Sequence, residues 1–260
     1  MMDLGGDSMA NKFIDRTGET TINKQGLKMK IIKYNGCLDI DVEFEDGYIA
    51  TNVKYAHFKE SNIKNPYFKT VLNIGCVGNV STIDENKKQL KSYTIWKSML
   101  QRCYDINCKN YKNYGGKGVV VCDEWLCYEN FKKWYDEYYY EIDGERTELD
   151  KDILIKGNKI YSPESCNFVP KNINVLFKKH KKQYDLPLGV LLHKGKYASQ
   201  LRSHTGKTKW LGYFNTPEEA FYVYKEAKEK EIKRVADLYK DKIPQKLYEA
   251  MYNYEVEITD

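Results

Sequence analysis

Asp150 and Asp152 stand two residues apart in the run Leu149-Asp150-Lys151-Asp152-Ile153-Leu154, which reads as a strand. Residues i and i+2 of a strand point to the same side of a sheet, so the two carboxylates can share one cation. Carboxylate oxygens are the ligands Mg²⁺ and Mn²⁺ favour, and such a cation can activate water against a phosphodiester. The plainer alternative for Asp150 is a hairpin carboxylate held in a salt bridge. Four of the seven cysteines, Cys103, Cys108, Cys122 and Cys127, raise the question of zinc. Four residues intervene within each pair, where zinc ribbons most often place two, and Cys103 and Cys122 fall on apolar stretches. Buried, reduced thiols are the expectation. Tyr114-Gly115-Gly116-Lys117-Gly118 lacks the Lys-Ser/Thr that completes a phosphate-binding loop and reads as a tight turn.

The charge is laid out unevenly. Residues 117 to 150 hold four Lys/Arg against ten Asp/Glu, a net of −6, whereas residues 171 to 240 hold sixteen against seven, a net of +9. A basic second half is the footprint of a polyanion-binding surface. Interleaved Glu accounts for the lysines of 225–240 as a solvated helix face, but not for Lys178, Lys179, Lys181 and Lys182. No apolar run is long enough to span a bilayer and no signal-peptide pattern opens the chain, so the cytoplasm of a bacterial host cell is the expected location and no membrane partner is expected. Residues 1–9 read as a flexible leader.

The elements that must position these groups form an α+β pattern in three parts. Residues 10–85 read as a small β-rich domain: Lys28–Tyr34 and Asp39–Glu45 are strand-like, the second with strict alternation at Ile40, Val42 and Phe44. Residues 90–182 open with a helix carrying Ile95, Trp96, Met99, Leu100 and Cys103, followed by a strand at Val119–Val121 and a helix around Glu129–Tyr139. A strand at Leu149–Leu154, a loop, a strand at Cys166–Val169 and a helix beginning after Pro170 come next. Residues 186–245 read as three strands, Gly189–His193, Lys196–Ser203 and Lys207–Phe214, then a helix with a Thr216–Glu219 capping box; 246–260 form an amphipathic tail.

The strand–loop–strand–helix unit, with Leu149-Asp150-Lys151-Asp152-Ile153-Leu154, Gly157-Asn158-Lys159-Ile160-Tyr161-Ser162-Pro163-Glu164-Ser165-Cys166-Asn167-Phe168-Val169 and Asn172-Ile173-Asn174, resembles the HNH endonucleases of bacteriophages. Upstream, Trp96, Met99, Arg102-Cys103-Tyr104, Tyr114–Gly118 and Val121–Trp125 resemble one phage group of these proteins. The resemblance implies a ββα-metal module with Asp150 and Asn174 as ligands of one Mg²⁺ or Mn²⁺ and Ser165 where the family has its middle Asn. It puts Lys151 where the family has its histidine base. A lysine near its reference pKa is protonated and cannot take a proton from water. Two readings stay open: Lys151 holds a phosphate at a weak or inactive site, or Asp150 and Asp152 carry a metal that activates the water.

In the third part, Gly189-Val190, Gly195–Arg202, Trp210–Ala220 and Tyr224 are similar to the plant ethylene-response-factor (ERF) DNA-binding domain, which implies double-stranded DNA as partner. Strand parity alone places Tyr197, Ser199 and Leu201 on a core face and Lys196, Gln200 and Arg202 on the opposite, polar face. Leu211 then faces the core and Trp210 faces out, with Lys207 nearby. Gln and Arg on a sheet can read adenine and guanine in a major groove. The functions expected are therefore a homing-type HNH endonuclease, a DNA-binding regulator derived from one, or a protein that binds a host factor through its N-terminal domain.

Overall fold

A computed structural model describes residues 13–178 and 186–258. Lys179, Lys181 and Lys182, expected to contact DNA, lie outside the described residues, as do residues 1–9, expected as a leader. The chain is mixed α and β and divides into two compact units, Met1–Val80 and Ser81–Asp260. The first boundary read from pattern was 85, five residues later.

In the first unit an antiparallel meander runs β1 (Thr20–Ile22), β2 (Lys28–Gly36), β3 (Asp39–Phe44), β4 (Ile49–Val53). The alternation of β3 buries Ile40, Val42 and Phe44, and β2 answers with Met29 and Ile31. A short helix, α1 (Tyr55–Lys59), closes this core with Phe58. Each fully buried Ile, Met or Phe contributes about 1.5–3 kcal/mol of transfer free energy, which lets so small a sheet hold one face away from water.

The second unit begins with two helices, α2 (Lys91–Tyr104) and α3 (Tyr128–Tyr138), joined through turns and a two-residue strand, β5 (Val120–Val121). Their contact is aromatic and polar at once: Trp96 Nε1 donates to the Trp125 carbonyl at 2.7 Å, and the Ser92 and Tyr128 hydroxyls meet at 2.7 Å. The glycine-rich turn is a packing device. A Cβ on Gly115 would come within 2.0 Å of the Cys103 carbonyl oxygen, so only glycine lets the turn lie against α2.

Next comes an antiparallel ribbon, β6 (Thr147–Asp150) with β8 (Asn167–Pro170), followed by α4 (Lys171–Phe177); β7 (Ile160–Tyr161), in the loop between, pairs in parallel with β5. The ribbon has two faces. Phe168 packs against Trp134 of α3 at 5.1 Å between ring centroids. Val169 on the opposite side joins Ile173 and Leu176 of α4.

The last sheet has the order β11 (Thr208–Phe214), β10 (Lys196–Arg202), β9 (Val190–His193), all antiparallel, backed by α5 (Pro217–Tyr239), which starts with the Thr216–Glu219 capping box. The first half of α5 covers this sheet with Ala220, Phe221 and Tyr224; the second half buries Ile232, Val235 and Ala236 against Val169, Ile173 and Leu176 of the ribbon and α4. Residues 246–260, expected as a tail, contain most of α6 (Gln245–Tyr252), whose Leu247 and Met251 are fully buried in that second core. One helix thus serves both the ribbon and the last sheet. Among the described residues no helix is long and apolar enough to cross a membrane.

Lys228 lies on the buried stripe of α5 between its two cores, 8% exposed, and burial lowers its pKa to about 8. The depressed value fixes the sign of its pH dependence. Below about pH 8 the native state must hold a buried charge, and stability rises with pH from there toward the unfolded-state pKa of about 10.4. Lys228→Met is therefore expected to stabilise the protein by about 1–3 kcal/mol at pH 7, with the gain shrinking at pH 10. Urea denaturation at the two pH values measures it, and a gain independent of pH would contradict this account of Lys228.

Candidate metal site and nucleic-acid interface

The pairing of β6 with β8 sets Asp150 opposite Asn167 and Glu148 opposite Val169, so Glu148, Asp150, Asn167 and Val169 share the face on which α4 lies. From α4, Asn174, itself 9% exposed, donates from Nδ2 to Glu148 Oε2 at 2.8 Å. Lys178, at the end of that helix, puts its Nζ 3.6 Å from the same oxygen. Asp150 spends Oδ1 on the backbone N–H groups of Asp152 and Ile153, both at 2.8 Å. Burial pushes the Asp150 carboxyl above its usual range, against the lowering effect of those two N–H donors. Opposite Asp150 the buried Asn167 Nδ2 has no acceptor among the described residues, a donor that a water or phosphate oxygen would satisfy. As cation ligands, Asp150 and the Asn174 carbonyl would offer only hard oxygen donors, a set that fits Mg²⁺ or Mn²⁺ and does not suit zinc. Among the described residues no three His, Cys, Asp or Glu side chains gather, so such a site depends on the Asn174 amide as well as the Asp150 carboxylate.

Asp152 does not belong to this face. The strand expected at 149–154 ends at Asp150, because the Asp150 side chain caps a turn that begins there, and strand parity stops with it. Asp152 Oδ1 instead accepts from Lys151 Nζ at 2.7 Å. Lys151, 6% exposed, also donates to the Asn158 carbonyl at 2.6 Å and lies 6.0 Å from the Tyr161 ring centroid. Its ammonium is committed to the loop rather than aimed along Asp150. Ser165 braces the same loop, donating to the Ile160 carbonyl at 2.8 Å, and Asn158 Nδ2 ties the Lys151 and Ile160 carbonyls at 2.9 and 2.7 Å. Of the residues assigned by resemblance, Asp150 and Asn174 share one side of the ribbon, while Lys151 and Ser165 hold the loop that follows Asp150.

All seven cysteines are free thiols. Burial raises Cys103 to about 11 and Cys166 to about 12, which removes both from thiolate chemistry at neutral pH.

On the last sheet, Lys196 and Arg202 are exposed on the side away from α5, Gln200 is half-buried there, and Trp210 is 52% exposed. Leu201 and Tyr197 pack toward α5 with Val190 and Tyr224. A bulge alters the parity of β11: Ser199 pairs with Gly212 and Gln200 with Trp210, leaving Leu211 as the extra residue. Gly212 accommodates it at φ 146°, open to glycine alone. Trp210 and Tyr213 therefore fall on the same side, stacked at 6.2 Å and 18°, with His193 of β9 5.6 Å from the Tyr213 ring. Tyr213 is 54% exposed; Lys207, just before β11, and Lys209 are exposed too, but Lys209 pairs with core-facing Leu201 and so alternates to the side opposite Trp210. The β10–β11 hairpin meets α5 at His204, whose Nδ1 lies 3.0 Å from Glu231 Oε1 and 3.0 Å from Arg234 Nη2, donating to the first when protonated there or accepting from the second when not. Chiefly through Arg234, Glu231 is held down to about 2.

Compared with protein-family models, curated proteins and solved structures, the chain matches none of them. The functional reading therefore rests on the two faces just described. Pattern reading missed Glu148, although its two-residue spacing from Asp150 was a usable signal. It also missed Tyr213 and His193, because no feature short of the bulge tells that Tyr213 turns to the side of Trp210.

Proposed function

We propose that the protein binds double-stranded DNA with the outer face of its C-terminal sheet and hydrolyses a phosphodiester at the β6–α4 face, as an HNH-type endonuclease with Mg²⁺ or Mn²⁺. The observation that carries the proposal is the exposed strip of Trp210, Tyr213 and His193, bordered on the same face by Lys196 and Arg202. Isolated exposed aromatics are ordinary, but a stacked strip with a basic border suits sugar, base and phosphate together. Lys178 adds a cation at the ribbon. The cation would be held by Asp150 and the Asn174 carbonyl oxygen, and when bound it supplies Lewis-acid stabilisation of the charge growing on phosphate oxygens. The protein's own groups orient the substrate: Asn167 Nδ2, without an acceptor among the described residues, donates beside Asp150, and the sheet is the duplex anchor.

A second reading, a DNA-binding regulator that does not cleave, is favoured by one observation: Lys151, at the position of the histidine base, is committed to Asp152 and Asn158. Supercoiled plasmid incubated with the full chain and Mg²⁺ or Mn²⁺ separates the two. Nicking supports the endonuclease; tight, salt-sensitive binding without nicking at any metal concentration supports the regulator, and neither binding nor nicking removes both.

A further inference from the structure

Resting on the metal-site reading above, the geometry points to Glu148 as a positioning residue that decides which atom of Asn174 faces the cation. An amide side chain presents a carbonyl oxygen on one side and an NH₂ on the other, and only the oxygen can bind a metal. A carboxylate has acceptors only, so the edge of Asn174 next to Glu148 must be its Nδ2, at 2.8 Å from Oε2. Oδ1 is thereby turned away from Glu148. Glu148 belongs to the ribbon face that carries Asp150, Asn174 meets it from α4, and Asn174 is nearly buried, which leaves the amide little freedom to turn over. Lys178 Nζ, 3.6 Å from the same Glu148 oxygen, adds an ion pair to that carboxylate. Partners of this kind, which fix the orientation of a ligand without touching the metal, commonly account for a tenfold to hundredfold share of metal affinity.

The resemblance to HNH enzymes assigned no role to this position, and the role is separable from that of a direct ligand. A glutamine at 148 still presents an acceptor oxygen to Asn174 Nδ2 but has lost its charge, whereas alanine has neither. Titration of the full chain with Mn²⁺ alone, reading free Mn²⁺ by electron paramagnetic resonance, is therefore done on wild type, Glu148→Gln and Glu148→Ala, with circular dichroism and thermal melting to confirm that each is folded. The expected result is a loss of affinity of about 10- to 100-fold in Glu148→Ala and of less than about threefold in Glu148→Gln. Equal, large losses in both variants would overturn the orienting role in favour of a charge effect. Unchanged affinity in both would overturn any role of Glu148 toward the metal. If wild type itself binds no Mn²⁺, the metal-site reading falls, and this inference with it.

Discussion

Asp150→Ala is expected to lower Mg²⁺-dependent nicking of supercoiled plasmid on the order of 10²- to 10³-fold while leaving duplex affinity within about twofold. The size follows from what a carboxylate ligand supplies: without it the cation is no longer held where charge grows on the phosphate, a loss of several kcal/mol of transition-state stabilisation. The small effect on affinity follows from the layout, since the aromatic strip and its basic border lie on a different sheet. Asp150 also caps the turn at Asp152 and Ile153, so alanine costs about 1 kcal/mol of stability by that route alone. Asp150→Asn keeps the acceptor oxygen and removes the charge, and its nicking rate is expected to fall comparably with the fold intact. Full nicking by both variants would rule out Asp150 as the metal ligand.

Trp210→Ala is expected to weaken duplex binding by about 2 kcal/mol, close to 30-fold, with a change in folding stability below about 0.5 kcal/mol. An indole 52% exposed contributes little to the core, yet it is the largest apolar group on that face and stacks with Tyr213. Tyr213→Ala is expected to act in the same direction and less than additively with Trp210→Ala, because the two rings touch. Lys196, Arg202 and Lys207 should behave differently. Each alanine there is expected to lower affinity across sequences and to reduce the slope of log K against log salt by about one where it removes a phosphate contact. Fluorescence anisotropy of a labelled duplex at several salt concentrations measures both effects. A Trp210 variant that binds as wild type does would exclude the outer face as the DNA surface.

Much of the fold was legible because burial follows period. The strict alternation of β3 and the 3.6-residue stripe of α2 were readable from Ile40, Val42 and Phe44 and from Trp96, Met99, Leu100 and Cys103. The Thr216 capping box fixed the start of α5 to the residue. What escaped the sequence depended on side chains overriding period. Asp150 ends its own strand by capping a turn, and this removed Asp152 from the face it was expected to share. The bulge at Leu211 turned Tyr213 toward Trp210. The cohesion of α5 and α6 with the ribbon was equally hidden, since an amphipathic stripe tells that Ile232, Val235, Leu247 and Met251 are buried but not which element buries them.

For the candidate site the balance is similar. Asp150 and Asn174 were singled out by resemblance, and both lie on one side of the ββα unit. Lys151 was the open question; its bonds to Asp152 and Asn158 give it a structural task in the loop.

The central claim, that the outer face of the C-terminal sheet is where duplex DNA lies, is tested most directly by photocrosslinking. The full chain is irradiated with a duplex carrying bromodeoxyuridine, and the crosslinked peptides are mapped by mass spectrometry. The account predicts crosslinks within 190–214, at Trp210, Tyr213 or His193, and their loss when unlabelled duplex competes. Crosslinks confined to the meander of residues 20–53, or none at a salt concentration where the protein binds, would contradict it.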